Sequence, residues 1–433
     1  MERAIKRGAA LCAAGMWLAV HAMAQAVPEA ADAAASAAVA GDWADGLCGV
    51  IEEGARLLEE NQLAPSNGVA REALLEALIR ASEPSVVFLD EAGLAARSRR
   101  MSAREWDMGL TLVAVVDGLP KVAAVRADSP AAVAGILPGE LIEKVGDRNV
   151  LTGASLKFVR GMLSEGDEAV LEIGVRAVDA KSRVVSVERV RREEASLTDV
   201  EELPAGIGYM RAAGIFPGAG AEIAGALEKW QASGLFGAIL DLRGANGSAA
   251  EEIPAVAAGF AAPGERLYSM TDRQGKEIAS VKALAAPESR MPLMVLVDEE
   301  TTGAAELLAA VLGGGVKGAM IIGRETAGDP LIREPRKLST GRYALLATRQ
   351  LQTADGAVYA GAGGVVPDVL ITDSALDETV YEPEAPVLRK GKMLSDEEKE
   401  DKALRDRTRN DTYLRRATDV LLGLKALGYA GQP

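Results

Sequence analysis

Histidine is almost absent from this 433-residue chain: there is one, His21. It lies in an N-terminal segment expected to be removed, so the remaining chain would hold none. That excludes Ser-His-Asp and Cys-His catalysis, histidine-ligated metals and a histidine pH switch. Cysteine is nearly as scarce. Cys12 and Cys48 are too few for a disulfide framework or a cysteine-built zinc site, and neither a metal nor a cofactor is implied. Cys12 lies in the same removable segment, which leaves Cys48 alone in an apolar helical pattern with Leu47, Val50 and Ile51, as a small buried side chain. Positive charge is in deficit as well. Forty-eight Lys and Arg stand against 63 Asp and Glu, a net charge of −15. Such a chain has no general attraction for nucleic acid or anionic membranes. Past the first 26 residues no apolar run is long enough to span a bilayer, so no integral membrane span is expected.

What is present begins with a secretory pattern over residues 1–26. Arg3, Lys6 and Arg7 form a positive start, Gly8 to Val20 an apolar stretch, and Ala24-Gln25-Ala26 a small-residue cleavage site. The apolar stretch is shorter than the ~20 residues that a membrane anchor needs. An exported, periplasmic or otherwise extracytoplasmic protein is expected. Residues 27–43 form an Ala-rich leader, and 44–105 a helical arm. Leu57, Leu58, Leu74, Leu75, Leu78 and Ile79 recur there at helical spacing, interrupted at Pro65-Ser66-Asn67-Gly68 and closed by Glu83-Pro84.

Residues 106–177 change to short β-rich runs. Within them Ser129 is placed to cap a short helix with Pro130 at its first position, ended by Gly135 and followed by a Pro138-Gly139 turn and a strand from Leu141. The Ser129-Pro130 to Ile142 pattern resembles a PDZ domain. PDZ domains add an extended peptide as a strand and capture its C-terminal carboxylate on backbone N–H groups. By that resemblance Met108, Gly109 and Leu110 form the carboxylate-binding loop. The bland reading is that Gly109 only begins a strand.

Residues 178–203 suit a strand plus connector, and from 204 to 372 strands and helices alternate. The fold class expected is α/β: a helical N-terminal arm, a PDZ domain, and a core with a mainly parallel sheet covered by helices. Residues 373–433 are a C-terminal linker and docked amphipathic helix.

In this order the segments resemble the carboxy-terminal processing (tail-specific) serine peptidases. The likeness rests on Gly54–Asn61, Ile207-Gly208-Tyr209-Met210-Arg211, Asp241-Leu242-Arg243-Gly244-Ala245-Asn246-Gly247-Ser248, Leu293–Glu306 and Gly364-Val365-Val366-Pro367-Asp368. The resemblance implies proteolysis of protein C-terminal tails by a serine and a neutral lysine, which needs no histidine. It also implies that the helical arm can pair two copies. Carried over position by position, the nucleophile falls at Gly303, the lysine at Asp329 and a supporting glutamine at Arg333. Gly247 fits the oxyanion turn, although a glycine in a βα turn has a structural reason of its own.

Gly303 has no nucleophilic atom, and Asp329 is a carboxylate where a neutral amine is required. No serine lies between Asp298 and Leu338, and Lys317 is the one lysine before Lys337. The sequence therefore predicts a pseudopeptidase, an adaptor or scaffold for C-terminal peptides of exported proteins or for a partner peptidase. The alternative is an active serine-type endopeptidase with a relocated nucleophile at Thr302 or Ser248. A third reading is an envelope scaffold whose PDZ domain only packs. Asp329 and Arg333, four apart with Pro330 between, read as a surface ion pair.

Overall fold

The computed structural model describes residues 46–61, 69–101, 106–115, 118–164, 166, 168–177, 181–191, 196–285, 291–314, 316–359, 363–372 and 395–429. The expected signal segment, the Ala-rich leader and the Pro65–Gly68 turn lie outside them. The chain divides into two units, Met1–Pro84 and Ser85–Pro433.

The first unit contains helices α1 (46–60) and α2 (Val69–Ser82). No residue of α1 is fully buried, and Cys48 is half-buried rather than buried, because α1 encloses no core of its own among the described residues. The arm expected to run to residue 105 is divided after Pro84.

The second unit begins with β1 (Val87–Leu89) and α3 (Glu91–Arg100), which is capped by the Asp90 side chain on the Gly93 N–H. A small domain follows, built of β2 (Trp106–Asp107), β3 (Leu110–Val113), β4 (Lys121–Val125), α4 (Pro130–Val133), β5 (Leu141–Val145), β6 (Arg148–Asn149), α5 (Leu156–Ser164), β7 (Val170–Arg176), β8 (Ser182–Glu188) and β9 (Val190–Arg191). Ser129 caps α4 on the Ala132 N–H and Pro130 opens it, as the sequence predicts. The antiparallel sheet runs β3-β4-β5-β7-β8, with β3 at one edge. Its core holds Met108, Leu112, Val122, Ile142, Val159 and Ile173. β8 pairs with β7 from end to end, so this domain continues into the segment expected as strand and connector.

The larger domain has a sheet ordered β10-β11-β13-β17-β18-β21. Its strands are β10 (Leu197–Leu203), β11 (Ile207–Ala212), β13 (Gly237–Asp241), β17 (Leu293–Val297), β18 (Ala319–Gly323) and β21 (Val369–Leu370); β12 (Gly214–Ile215) and β14 (Asn246–Gly247) form a separate pair. Every pairing in the larger sheet is parallel except β10 with β11. All five residues of β17 are buried, as expected for a parallel strand covered on both faces. On one face Leu293, Val295 and Val297 meet α6 (Ala219–Ala232), α7 (Ile253–Ala257) and α8 (Gly303–Gly313). On the other, Met294 and Leu296 meet Leu404 of α9 (Asp396–Thr408) and Leu414, Ala417 and Leu421 of α10 (Thr412–Ala426). The C-terminal segment expected as one helix is therefore two, and it docks as expected.

A second, antiparallel sheet runs β1-β20-β15-β16, with β19 also on β20. Its members are β15 (Arg266–Asp272), β16 (Glu277–Lys282), β19 (Leu331–Lys337) and β20 (Tyr343–Thr353). This sheet has no clear signature in the sequence. Its strands are rich in polar residues, and Pro335 in β19 is tolerated because β19 is an edge strand.

Candidate functional site

Asp241 ends β13 with no exposed surface, and the chain turns sharply after it. Arg243 reaches back to that carboxylate through Nε to Oδ1 at 2.9 Å and Nη2 to Oδ2 at 2.6 Å. Its remaining donors grip Asp411, the N-cap of α10, at 2.8 Å on each oxygen. Arg211 Nη1 and the Tyr209 hydroxyl also donate to Asp241, at 3.2 and 2.9 Å. Burial alone would raise the Asp241 carboxyl. The Arg243 and Arg211 charges, with hydrogen bonds from Arg243, outweigh it and hold Asp241 well below the usual carboxylate range.

The segment before α8 is stitched onto this turn. Gly244 N–H donates to Asp298 Oδ1 at 2.8 Å, Thr301 Oγ1 to the Leu242 carbonyl at 2.9 Å, and Thr302 N–H to the Ala245 carbonyl at 3.0 Å. The result puts Gly303 on top of Gly247. A β-carbon at Gly303 would lie 2.6 Å from the Gly247 carbonyl oxygen, and Gly303 has φ +62°. Gly247 has φ +130°, and a β-carbon there would lie 2.2 Å from the Ile215 carbonyl oxygen, so its structural reason is visible.

Glu306, in the first turn of α8, is fully buried and organises the facing loop. It accepts from the Thr326 hydroxyl, from Gly328 N–H at 2.6 Å and from Asp329 N–H at 3.1 Å. Burial pushes its carboxyl up, against the pull of those three donors. Thr326 Oγ1 in turn accepts Val365 N–H at 2.8 Å, and Asp368 accepts Ile321 N–H at 2.7 Å, which fastens the Gly364–Asp368 segment to β18. The Tyr359 hydroxyl is buried without a hydrogen-bond partner among the described residues, and its pKa is raised by burial and then by the Glu306 and Asp329 charges.

The loop thus carries Asp329 to the first turn of α8. There Arg333 Nη1 donates to Oδ1 at 2.8 Å and Oδ2 at 2.7 Å, while Arg333 Nε donates to the Ser85 carbonyl at 3.2 Å. The Arg333 side chain is only 10% exposed, so this is a half-buried pair rather than the surface pair expected. Residue 331 begins a strand, and the pair forms across an extended segment instead of a helix turn.

The relocated candidates are placed otherwise. Thr302 is the N-cap residue of α8, and its side chain makes no cap hydrogen bond. Ser248 Oγ donates to the Met101 carbonyl at 3.3 Å. Lys317 is exposed beyond the far end of α8, ~16 Å of helix from Gly303.

In the small domain, Met108 is buried and Gly109 (φ +74°) precedes the edge strand β3. A β-carbon on Gly109 would overlap Ser129, at 2.2 Å from its Cβ. Arg160 of α5 sits between the domains. It donates to Glu300 Oε2 at 3.0 Å, to Asp298 Oδ2 at 3.4 Å and to the Leu112 carbonyl at 3.4 Å. Arg160 and the Arg243–Asp411 pair do not stand out in the sequence as partners of these positions; the Asp241-Leu242-Arg243 run and the Leu293–Glu306 segment are the signals that point there.

The arrangement is an α/β domain with a mainly parallel sheet. Residues 206–371 match the model of peptidase family S41. Over 323 residues it is 28% identical to the chloroplastic C-terminal processing peptidase of Tetradesmus obliquus, covering 70% of this chain and 68% of that one. Over 237 residues it is 28% identical to the carboxy-terminal processing protease CtpA of Bacillus subtilis, covering 53% of this chain and 48% of that protein. Among solved structures, the photosystem II D1 C-terminal processing protease aligns with a TM-score of 0.45 at 27% identity, over 70% of this chain and 82% of that one. Among the described residues no helix is long and apolar enough to cross a membrane, and no group of acidic, cysteine or histidine residues could hold a metal ion.

Proposed function

We propose that this chain is a non-catalytic homologue of the C-terminal processing peptidases, exported by its N-terminal segment. It acts as an adaptor or scaffold that takes extended protein ends, such as the C-termini of exported proteins, along β3. The observation that carries the reading is the Asp329–Arg333 pair, in which Arg333 Nη1 contacts both carboxylate oxygens at the positions to which the resemblance assigns the lysine and the glutamine. A carboxylate bound to a guanidinium is a poor base for a hydroxyl, and Gly303 offers no hydroxyl. Losing both members of a nucleophile–base pair removes the acyl-enzyme route. The strand-binding part is supported by the position of β3 at the end of its sheet's strand order among the described residues, the place where β-strand addition occurs.

Turnover tests the reading. Purified protein incubated with peptides carrying unstructured C-terminal tails should release no fragment. Cleavage abolished by Ser248→Ala or Thr302→Ala would establish the active, relocated-nucleophile alternative.

A further inference from the structure

The loop that would receive a ligand carboxylate already holds one. Asp107 lies immediately before Met108-Gly109-Leu110, and its Oδ1 accepts the Gly109 N–H at 2.9 Å. Its other oxygen, Oδ2, accepts Arg126 Nη2 at 2.5 Å. Arg126 is fixed on the far side as well. Its Nη1 lies 3.7 Å from Asp199 Oδ1 and donates to the Thr198 carbonyl at 3.3 Å. The backbone closes the arrangement, because Arg126 N–H donates to the Gly109 carbonyl at 2.9 Å. The Asp107 and Arg126 side chains are 25% and 28% exposed, so an incoming group can reach both.

We propose that Asp107 is a specificity-determining residue of this loop, an internal carboxylate that occupies the place of a ligand's C-terminal carboxylate. The proposal rests on β3 binding an extended strand. One N–H cannot serve two carboxylates at full strength, and a second negative charge beside Asp107 is repelled. The loop therefore gains little from a free chain end. The groove accepts extended peptides through the β3 backbone and apolar contacts, with weak regard for whether the last residue is charged. Specificity is set here against an otherwise expected ligand feature by a like charge.

The test uses the full chain and two fluorescent ten-residue peptides ending in Val-Ala-Ala, one with a free C-terminal carboxylate and one amidated. Affinities are read by fluorescence anisotropy. The wild-type protein should bind the two peptides within about twofold of each other. Asp107→Ala, which frees the N–H and removes one of the two carboxylates facing Arg126, should bind the carboxylate peptide about tenfold more tightly, with the amide unchanged. Asp107→Asn, which keeps the shape and removes the charge, should move the same way by a smaller factor, and it covers the case in which the alanine variant fails to fold. A carboxylate-to-amide ratio that is the same in both variants as in wild type would overturn the proposal and leave strand binding at β3 standing. No binding of either peptide by any variant would overturn both.

Discussion

A β-carbon at Gly303 would sit 2.6 Å from the carbonyl oxygen of Gly247. The position to which the resemblance assigns a nucleophile is thus closed against a side chain by the turn beside it. Gly303 also has φ +62°, a conformation that costs a non-glycine residue about 1 kcal/mol before any clash. Gly303→Ser alone should therefore lower stability by roughly 1–3 kcal/mol and confer no peptidase activity. Denaturant unfolding of the variant, paired with an assay for tail-peptide cleavage, checks both. A stable variant that cleaves peptides would show that the site needs only its hydroxyl.

Asp329 and Arg333 are expected to be coupled. Removing the carboxylate with Asp329→Ala takes the bidentate partner from Arg333, which is 10% exposed, and leaves its bond to the Ser85 carbonyl in place. Because the Asp329 side chain is 38% exposed, solvent screens part of the loss, and a cost of about 1–2 kcal/mol is expected. Adding Arg333→Ala should cost much less than Arg333→Ala by itself. A double-mutant cycle from urea unfolding measures this coupling, and strict additivity would contradict it.

The buried Arg243–Asp411 pair joins the turn after β13 to the start of α10. Asp411→Ala strips one carboxylate from a guanidinium that is 2% exposed and also removes the cap on the Leu414 N–H. A loss of roughly 3–5 kcal/mol is expected from the pair, with about 1 kcal/mol more from the cap. Asp411→Asn keeps the cap oxygen and should recover only the smaller part. Hydrogen exchange should show α9 and α10 opening first in either variant, and uniform exchange would argue against this anchoring.

Acid should destabilise the fold through Asp241. Its folded carboxyl is held well below the ordinary range by Arg243 and Arg211 against burial, whereas an unfolded aspartate titrates near ~3.9. Below that value the unfolded chain takes up a proton that the folded chain does not. Asp241's contribution is thus fully present above about pH 5 and is lost progressively as the pH falls through the depressed folded value. Asp241→Asn should lower stability at pH 7 and flatten the acid limb of the stability–pH curve. An unchanged limb would assign the acid sensitivity elsewhere.

The core sheet was legible because its chemistry is local. β17 is an unbroken apolar run and β13 is apolar up to its last residue, Asp241, and both are followed by turn residues and helices, the pattern of a covered parallel strand. The antiparallel sheet was not. Four of the six residues of β16 are exposed and none is buried, and β19 reads Leu-Ile-Arg-Glu-Pro-Arg-Lys, so the strand state of β19 comes from pairing with β20 rather than from its own pattern. Gly303 and Asp329 could be placed by position in a motif, but their surroundings could not. Arg243 meets Asp411 across 168 residues, and Arg160 meets Glu300 across 140, separations at which spacing carries no information. The pair at Asp329 and Arg333 was visible as a four-residue spacing, yet its burial depends on β19 and on the Ser85 carbonyl.

The proposed function turns on the absence of an acyl-enzyme nucleophile, and one measurement addresses it directly. The purified full chain is incubated with a fluorophosphonate serine-hydroxyl probe and with a library of C-terminal tail peptides, and both are read by mass spectrometry beside an active relative. No adduct on Ser248 or Thr302 and no new peptide terminus are expected. An adduct on either residue, together with cleavage that its alanine variant abolishes, would contradict the proposed function.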